Sequence, residues 1–411
     1  MGLQRQFTLY LTAKRYKGAK ELLDDNPGDI MNDPLVFAIF ENARRKKSGD
    51  PKDKVFALYG LLSELEIPFP LPDYSLSVET VYREAVMATI NYDKNLYVLY
   101  HVPSDRRRDT LASWVPDWAE HGWEPSDPRY GLLRSRFSAS GSADPVWRFS
   151  EDGTALILKG VVVDTIILRH ESLLGEGSDL RQVMERLNTQ KSGSRNGRIR
   201  PSEQKEYQRI TYEAFLVLKA WTETSQWSDY PTGEPSKIAF QRTLVNDNPK
   251  CNASSAQNDN FERWYHTINL GELDLMAAAL QNEGLGDDIP KGSWERDAFL
   301  RIMKERTSPP VQVFSALRGS GFGFHSQAMA FSQKKCFFHT EKSYFGTAAD
   351  PLPVPIQHGD KIVIVSGLEM PLALRPVEGG YRLLTHVYLH GIMYGEAWPE
   401  HEDNLVDITL L

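Results

Sequence analysis

Cysteine is nearly absent, with Cys251 and Cys336 the two in a chain of 411 residues. Two thiols build neither a disulfide framework nor a four-cysteine zinc site, and such scarcity fits an intracellular compartment. Long apolar runs are missing as well. Nothing approaches the roughly 18 continuous apolar residues of a membrane helix, and the opening MGLQRQFTLY has no signal-peptide core. Gly2 invites N-myristoylation, but Gln6 stands where that motif needs Ser or Thr. Asn252-Ala253-Ser254 matches a glycosylation acceptor, which has no meaning without secretion. Positive charge is scarce too. The chain carries 47 Lys and Arg against 55 Asp and Glu, a net charge of −8, so no phosphate-backbone footprint for nucleic acid is present. The run Arg106-Arg107-Arg108 ends at Asp109 and reads as a solvated loop. No P-loop, Gly-x-Ser-x-Gly or His-Glu-x-x-His signature occurs.

What is present is the composition of a globular protein: 41% apolar, 11% aromatic and 25% charged residues. The length allows two or three domains, or one with insertions. The first hundred residues read as helical, with Leu9, Leu11, Ala19, Leu22 and Leu23, then Leu35, Phe37, Ile39 and Phe40. In Asp50-Pro51-Lys52-Asp53-Lys54, Asp50 or Asp53 can cap a helix whose apolar face is Val55, Leu58, Leu61 and Leu62. The prolines at 68, 70 and 72 end it. Ser75 or Ser77 then caps a second helix through Val78, Val81, Tyr82, Ala85 and Ile90. Trp114 and Trp118 flank Pro116 in a segment that also holds Trp123. Bulky indoles around a fixed backbone predict a buried structural plug, with an aromatic platform for a sugar or base as the alternative.

From Ala155 to Leu168 the chain is rich in β-branched residues and broken by Gly160, predicting one long bent strand or two short ones. Leu187 to Glu206 is polar and without periodicity, predicting an exposed loop. Helical patterns resume at Tyr207–Trp227, Trp264–Leu280 and Trp294–Met303, and β patterns past Gln327, with turns about every ten residues. The fold class expected is α+β: an N-terminal helical region and a small antiparallel β-sheet or barrel domain interrupted by a helical insertion. The expected boundaries are 1–145 for the helical region with its Trp-rich plug, 146–170 plus 328–411 for the β domain, and 171–327 for the insertion with its loop near 187–206.

Candidate chemistry is sparse. Gly319-Ser320-Gly321-Phe322-Gly323 before His325 reads as a hinge, with no preceding strand to make it a phosphate cradle. His386 and His390 would share a face in a strand but lie about 13 Å apart, too far to share a metal. Tyr388, His390 and Glu396 border turns at Gly391 and Gly395, where a binding loop or satisfied surface histidine is expected. Asp117, Glu120 and Glu124 imitate a glycosidase carboxylate pair, with solvated loop charges as the plainer reading. No catalytic, cofactor-binding or metal residue is assigned, and no cofactor is expected.

Taken in order, DPKDKVFALYGLL from Asp50, Pro72-Asp73-Tyr74-Ser75, Ser113-Trp114-Val115-Pro116-Asp117-Trp118, Phe337-Phe338, Gly359-Asp360, Pro371 to Pro376 and Val387 to Met393 with Gly395-Glu396 resemble what fungal heterokaryon-incompatibility (HET) proteins carry at the same relative places. The positions carrying the resemblance are Asp50, Pro51, Asp53, Trp114, Pro116, Asp117, Trp118, Gly391, Gly395 and Glu396, read as structural. The Tyr-Val-Trp-Gly and Cys-Ile-Asn-Gln type motifs of the HET domain proper are not found. The resemblance therefore covers the region downstream of that domain, as in a truncated gene model, a fragment or a paralogue. It implies a cytoplasmic, non-enzymatic, regulatory or sensing portion that works through protein partners, another HET-family protein among them, in non-self recognition and programmed cell death. The alternatives are an enzyme of a fungal secondary-metabolite or carbohydrate pathway and a degenerate HET relative without activity. Partner identity and oligomeric state are not encoded in any motif.

Overall fold

A computed structural model describes residues 35–44, 46–102, 108–119, 136–173, 201–226, 229–252, 255–285, 290–318, 321–350 and 352–411. The chain is α+β. Its N-terminal described part holds α1 (Leu35–Arg44), α2 (Asp53–Phe56), α3 (Tyr59–Glu64) and α4 (Val78–Asp93), then a 3₁₀ turn at Tyr97–His101. The leucines expected in helices before residue 35 lie outside the described residues. Helix α4 starts where Ser77 Oγ accepts the Thr80 N–H at 3.2 Å, and it stops at Lys94 in the left-handed conformation. Val81, Tyr82, Ala85, Val86 and Ile90 form its buried stripe.

The helix expected over the Asp50 segment departs from its sequence pattern. It is two short pieces, and neither Asp50 nor Asp53 caps the first, whose N-cap position is Lys52. Asp50 Oδ1 accepts the Lys52 N–H at 2.8 Å in a turn, while Asp53 Oδ1 accepts the Tyr74 hydroxyl at 2.6 Å. Between the pieces the Leu58 N–H reaches Val55 O, three residues back, so the coil tightens there.

The strands are β1 (Trp147–Phe149), β2 (Leu156–Leu173), β3 (Lys335–Thr340), β4 (Phe345–Ala349), β5 (Lys361–Val365), β6 (Leu372–Val377), β7 (Gly380–Leu389) and β8 (Val406–Leu410). Neighbours run β2-β3-β4-β7-β6-β5, and β5 pairs again with β2, so the described sheet closes into a ring. All its ring pairings are antiparallel. β1 pairs with β2, and β8 pairs with both β2 and, in parallel, β7, additions to the circuit that make the ring less regular than a clean barrel.

Closure depends on β2. Its 18 residues pair with β5 through Gly160–Thr165 and with β3 through Ile166–Leu173. Register shifts at Val162/Asp164, Ile166/Leu168 and Arg169/Ser172 bend it between the two partners. Gly160 does not interrupt the strand. A Cβ there would stand 2.5 Å from Ile364 O, so glycine permits the close approach of β5.

Alternation along the strands sorts their side chains. Val163, Ile166, Cys336, Phe338, Ala348, Ile362, Ile364, Ala373, Val387 and Leu389, drawn from all six ring strands, pack into one buried cluster, which fills the ring. Outward neighbours on β5 and β6, Val363, Val365, Leu372 and Leu374, join Tyr82, Trp114 and Trp118 in a second cluster under the N-terminal helices. Phe337 and Phe345 face a third, beneath the helical block.

That block comprises α5 (Pro201–Thr224), α6 (Ser236–Leu244), α7 (Pro249–Asn252), α8 (Ser255–Ile268), α9 (Glu272–Asn282), α10 (Trp294–Arg306), α11 (Pro309–Arg318) and α12 (Phe322–Ser332). Three sequence expectations change here. Residues 201–206, read as the end of an exposed loop, open α5; proline suits a first helical turn, and Arg209 pairs with Glu206 and Glu213. Residues 187–200 lie outside the described residues. The helix expected over Trp264–Leu280 breaks before Gly271, whose extended backbone starts α9. Helix α12 carries the chain to Ser332, past the point where β structure was expected. Gly321, in the stretch read as a hinge, packs where a Cβ would meet the Trp264 backbone at 2.5 Å.

Candidate functional site

The positions singled out in the sequence fall into two groups. In the first, Tyr82 is the bridge: its hydroxyl donates to Pro51 O at 2.7 Å and its ring meets Trp118 edge-on at 5.1 Å. Trp118 also stacks on Phe40 at 4.6 Å, and Trp114 Nε1 donates to Thr154 O at 3.3 Å. Both indoles and Pro116 are buried, so neither tryptophan offers a face to a ligand. Asp117 is buried and held by Arg108, whose Nη1 and backbone N–H donate to its two oxygens at 3.0 and 3.2 Å. A carboxylate so occupied is a poor glycosidase acid or base; Glu120, Trp123 and Glu124 lie outside the described residues.

The second group surrounds His390. Strand β7 ends there because Gly391 adopts φ +92°, and Gly395 turns again at φ +93°. Between them the Tyr394 N–H donates to Glu396 Oε2 at 2.6 Å. His390 itself is buried and shares hydrogen bonds with Tyr388 Oη at 2.9 Å through Nδ1 and with Glu234 Oε1 at 2.6 Å through Nε2. Glu234 is presented by a turn in which the Gly233 N–H donates to Tyr230 O at 2.8 Å, with Pro231 second and Gly233 at φ +82°. Burial pushes the Glu234 carboxyl up, but the hydrogen bond and charge of His390, the Thr232 hydroxyl and Arg242 outweigh it and hold the group below the usual range.

Outward from Glu234 the network continues. Arg242 lies 3.3 Å from Glu234 and 3.8 Å from Asp247, and Tyr394 Oη donates to Asp247 at 3.3 Å. Asn246 and Asp247 both hold positive φ, 48° and 50°, a strained pair at the end of α6. Arg136 Nη2 donates to Asp247 O at 2.9 Å, tying in the segment before β1. Tyr230 Oη completes the join, donating to His390 O and accepting the Phe345 N–H.

This arrangement orients a histidine by a carboxylate, as a general base is oriented. Both ring nitrogens are nevertheless occupied by protein groups, so its evident work is to fasten the turn before α6 to the end of β7. His386 lies on β7 and meets the Tyr100 ring edge-on at 5.4 Å. Among the described residues no group of three or more His, Cys, Asp or Glu is placed to hold a metal ion, and no helix is long and apolar enough to cross a membrane. Sequence reasoning reached Tyr388, His390 and the glycine turns but missed Glu234, Arg242 and Asp247. The Pro-Thr-Gly-Glu-Pro stretch at 231–235 was the available turn signal.

A closed ring filled with side chains and flanked by helices on two sides defines the class, a barrel-type α+β protein. The chain belongs to the Het-6 beta-barrel domain family, a fungal HET-associated family whose model matches residues 154–404. The match starts just before β2 and spans both the ring and the helical block between β2 and β3. No curated protein and no solved structure matches.

Proposed function

We propose that this chain acts through protein contacts, as a non-enzymatic regulatory or sensing element in fungal heterokaryon incompatibility, with non-self recognition and programmed cell death as its setting. The observation that supports this reading is the filled ring. Barrels that carry ligands keep their interior open, whereas here Val163, Phe338, Ile364 and Leu389 occupy it and the ring serves as a rigid support for outward surfaces. Membership in a HET-associated family gives the setting. On this reading the protein works in the cytoplasm, and its partner is another protein, a HET-domain protein among the candidates. On this reading its organisation follows the division into 1–145, 146–170 with 328–411, and 171–327, although the buried clusters are shared across those boundaries, as Leu156 and Val363 pack with Tyr82 and Phe337 packs with Trp221.

The test is expression in a filamentous fungus, alone and with HET-domain proteins of the same host, scoring cell death by vital dye in fused and unfused hyphae. The expected result is a change in death frequency that depends on the co-expressed partner. An unchanged frequency in every combination, with the protein present and folded, overturns the reading.

A further inference from the structure

A cleft of about 390 Å³ opens where α4, the segment 109–113, the β6–β7 hairpin and the end of β8 meet. Two arginines from distant parts of the chain line it, Arg83 on α4 and Arg382 on β7. Both are half-buried, and neither has an ion-pair or hydrogen-bond partner for its guanidinium among the described residues. Nearby arginines differ. Arg108 is held by Asp117, Arg148 by Asp407 and Arg375 by Asp360.

Register sharpens the contrast. Arg375 and Arg382 stand directly opposite each other on β6 and β7, an unfavourable pairing of like charges. Asp360 compensates Arg375 with two contacts of 2.8 Å, leaving the charge of Arg382 unmet. The cleft's own acids do not supply the missing partner. Glu79 accepts the Thr110 hydroxyl at 2.6 Å, and Asp109 is exposed at the rim with no ion pair among the described residues. Beside the arginines, Val377 and Leu411 leave 42% and 38% of their surface open.

We infer that this cleft binds an acidic, aliphatic peptide segment of a protein partner, its carboxylates bridging to Arg83 and Arg382 and its apolar side chains covering Val377 and Leu411. The inference rests on the reading that the chain works through protein contacts. Guanidinium forks match carboxylates in two parallel hydrogen bonds; Glu79 and Asp109 balance the arginines in formal charge, but Glu79 is turned to Thr110, so it is the two guanidiniums without an acceptor among the described residues that select the acidic partner. An isolated oxyanion would use the arginines and leave the apolar rim uncovered.

The probe is an N-acetylated peptide of alternating leucine and glutamate, titrated into the full chain beside its leucine-glutamine counterpart and inorganic phosphate. Saturable binding of the glutamate peptide is expected, weakened about tenfold or more in the Arg83→Gln/Arg382→Gln double variant. The glutamine peptide is expected not to bind. Neither guanidinium makes a polar contact among the described residues, so the variant should melt with the intact protein. Absence of binding, equal binding of the glutamine peptide, equal binding by the double variant, or full competition by phosphate each overturns the inference. In the fungal assay, a double variant as active as the intact chain sinks the cleft alone. An inactive intact chain sinks the functional reading instead.

Discussion

Three buried histidines, His101, His325 and His339, give individual residues control over stability in acid. Burial pushes His325 and His339 down to about 4, with the charge of His170 adding to the second, and burial with Arg44 nearby pushes His101 well below the usual value. Each is neutral in the folded chain and titrates near 6.5 when unfolded. Below 6.5 the unfolded chain therefore binds more protons. Stability is full above that pH and is lost as pH falls through the folded values, by at most about 3 kcal/mol for each group near 4. Denaturant midpoints measured from pH 7 to 4.5 should fall steadily. In His325→Leu the slope should shrink while stability at pH 7 drops, because Trp264 Nε1 loses its acceptor at 3.1 Å. An unchanged slope would refute the assignment. Glu234 gives a second prediction. Glu234→Gln keeps the shape but removes the charge facing His390 and Arg242, and should cost about 1–3 kcal/mol at pH 7, against under about 1 kcal/mol for Thr232→Val. Equal losses in the two variants would remove the special place of the Glu234 carboxylate.

At the scale of elements, two glycines separate local propensity from tertiary contact. Gly60 lies in α3 with nothing within 4 Å of an added Cβ, whereas Gly160 lies in β2 with Ile364 O at 2.5 Å. Gly60→Ala should therefore stabilise the protein by about 0.5–1 kcal/mol, the ordinary helix preference for alanine. Gly160→Ala has to separate β2 from β5 and should cost several times as much, on the order of 3 kcal/mol. Chemical denaturation of the two variants gives the comparison, and similar midpoints would show that β5 does not constrain Gly160. The sequence around each glycine shows why one element was legible and the other only partly so. Ser77 with the apolar stripe of α4 announced its helix, since cap and period are local. The β-branched run at Ala155–Leu168 announced a strand. Its bends did not show, because register shifts depend on β3 and β5, which are remote in sequence. The same distance hid Glu234, 156 residues from His390, although His390 itself stood out beside its glycine turns. Short pieces such as α2 and α3 were read as one helix because their apolar spacing survives the tightened turn between them.

Across the whole molecule, β3 determines whether the helical block and the ring behave as one unit. Its successive residues point to opposite sides: Phe338 fills the ring, while Phe337 stacks on Trp221 at 5.3 Å and meets Phe240 edge-on at 5.6 Å. The block is thus anchored on a strand that the ring cannot lose without opening between β2 and β4. The polar join from His390 to Glu234 adds a second attachment at the end of β7. Truncating Phe337, fully buried, should cost about 3–5 kcal/mol. The mode of unfolding is the more discriminating outcome. If packing on β3 couples the two parts, Phe337→Ala should lower one shared transition, with far-ultraviolet circular dichroism and tryptophan fluorescence moving together. Trp221 and Trp264 report the helical block, and Trp114 and Trp118 report the cluster beneath the N-terminal helices on the ring's other face. An early, separate loss of helical signal, leaving amide protons of β2 and β5 protected from exchange, would instead show that the block unfolds independently and that the closed ring stands without it.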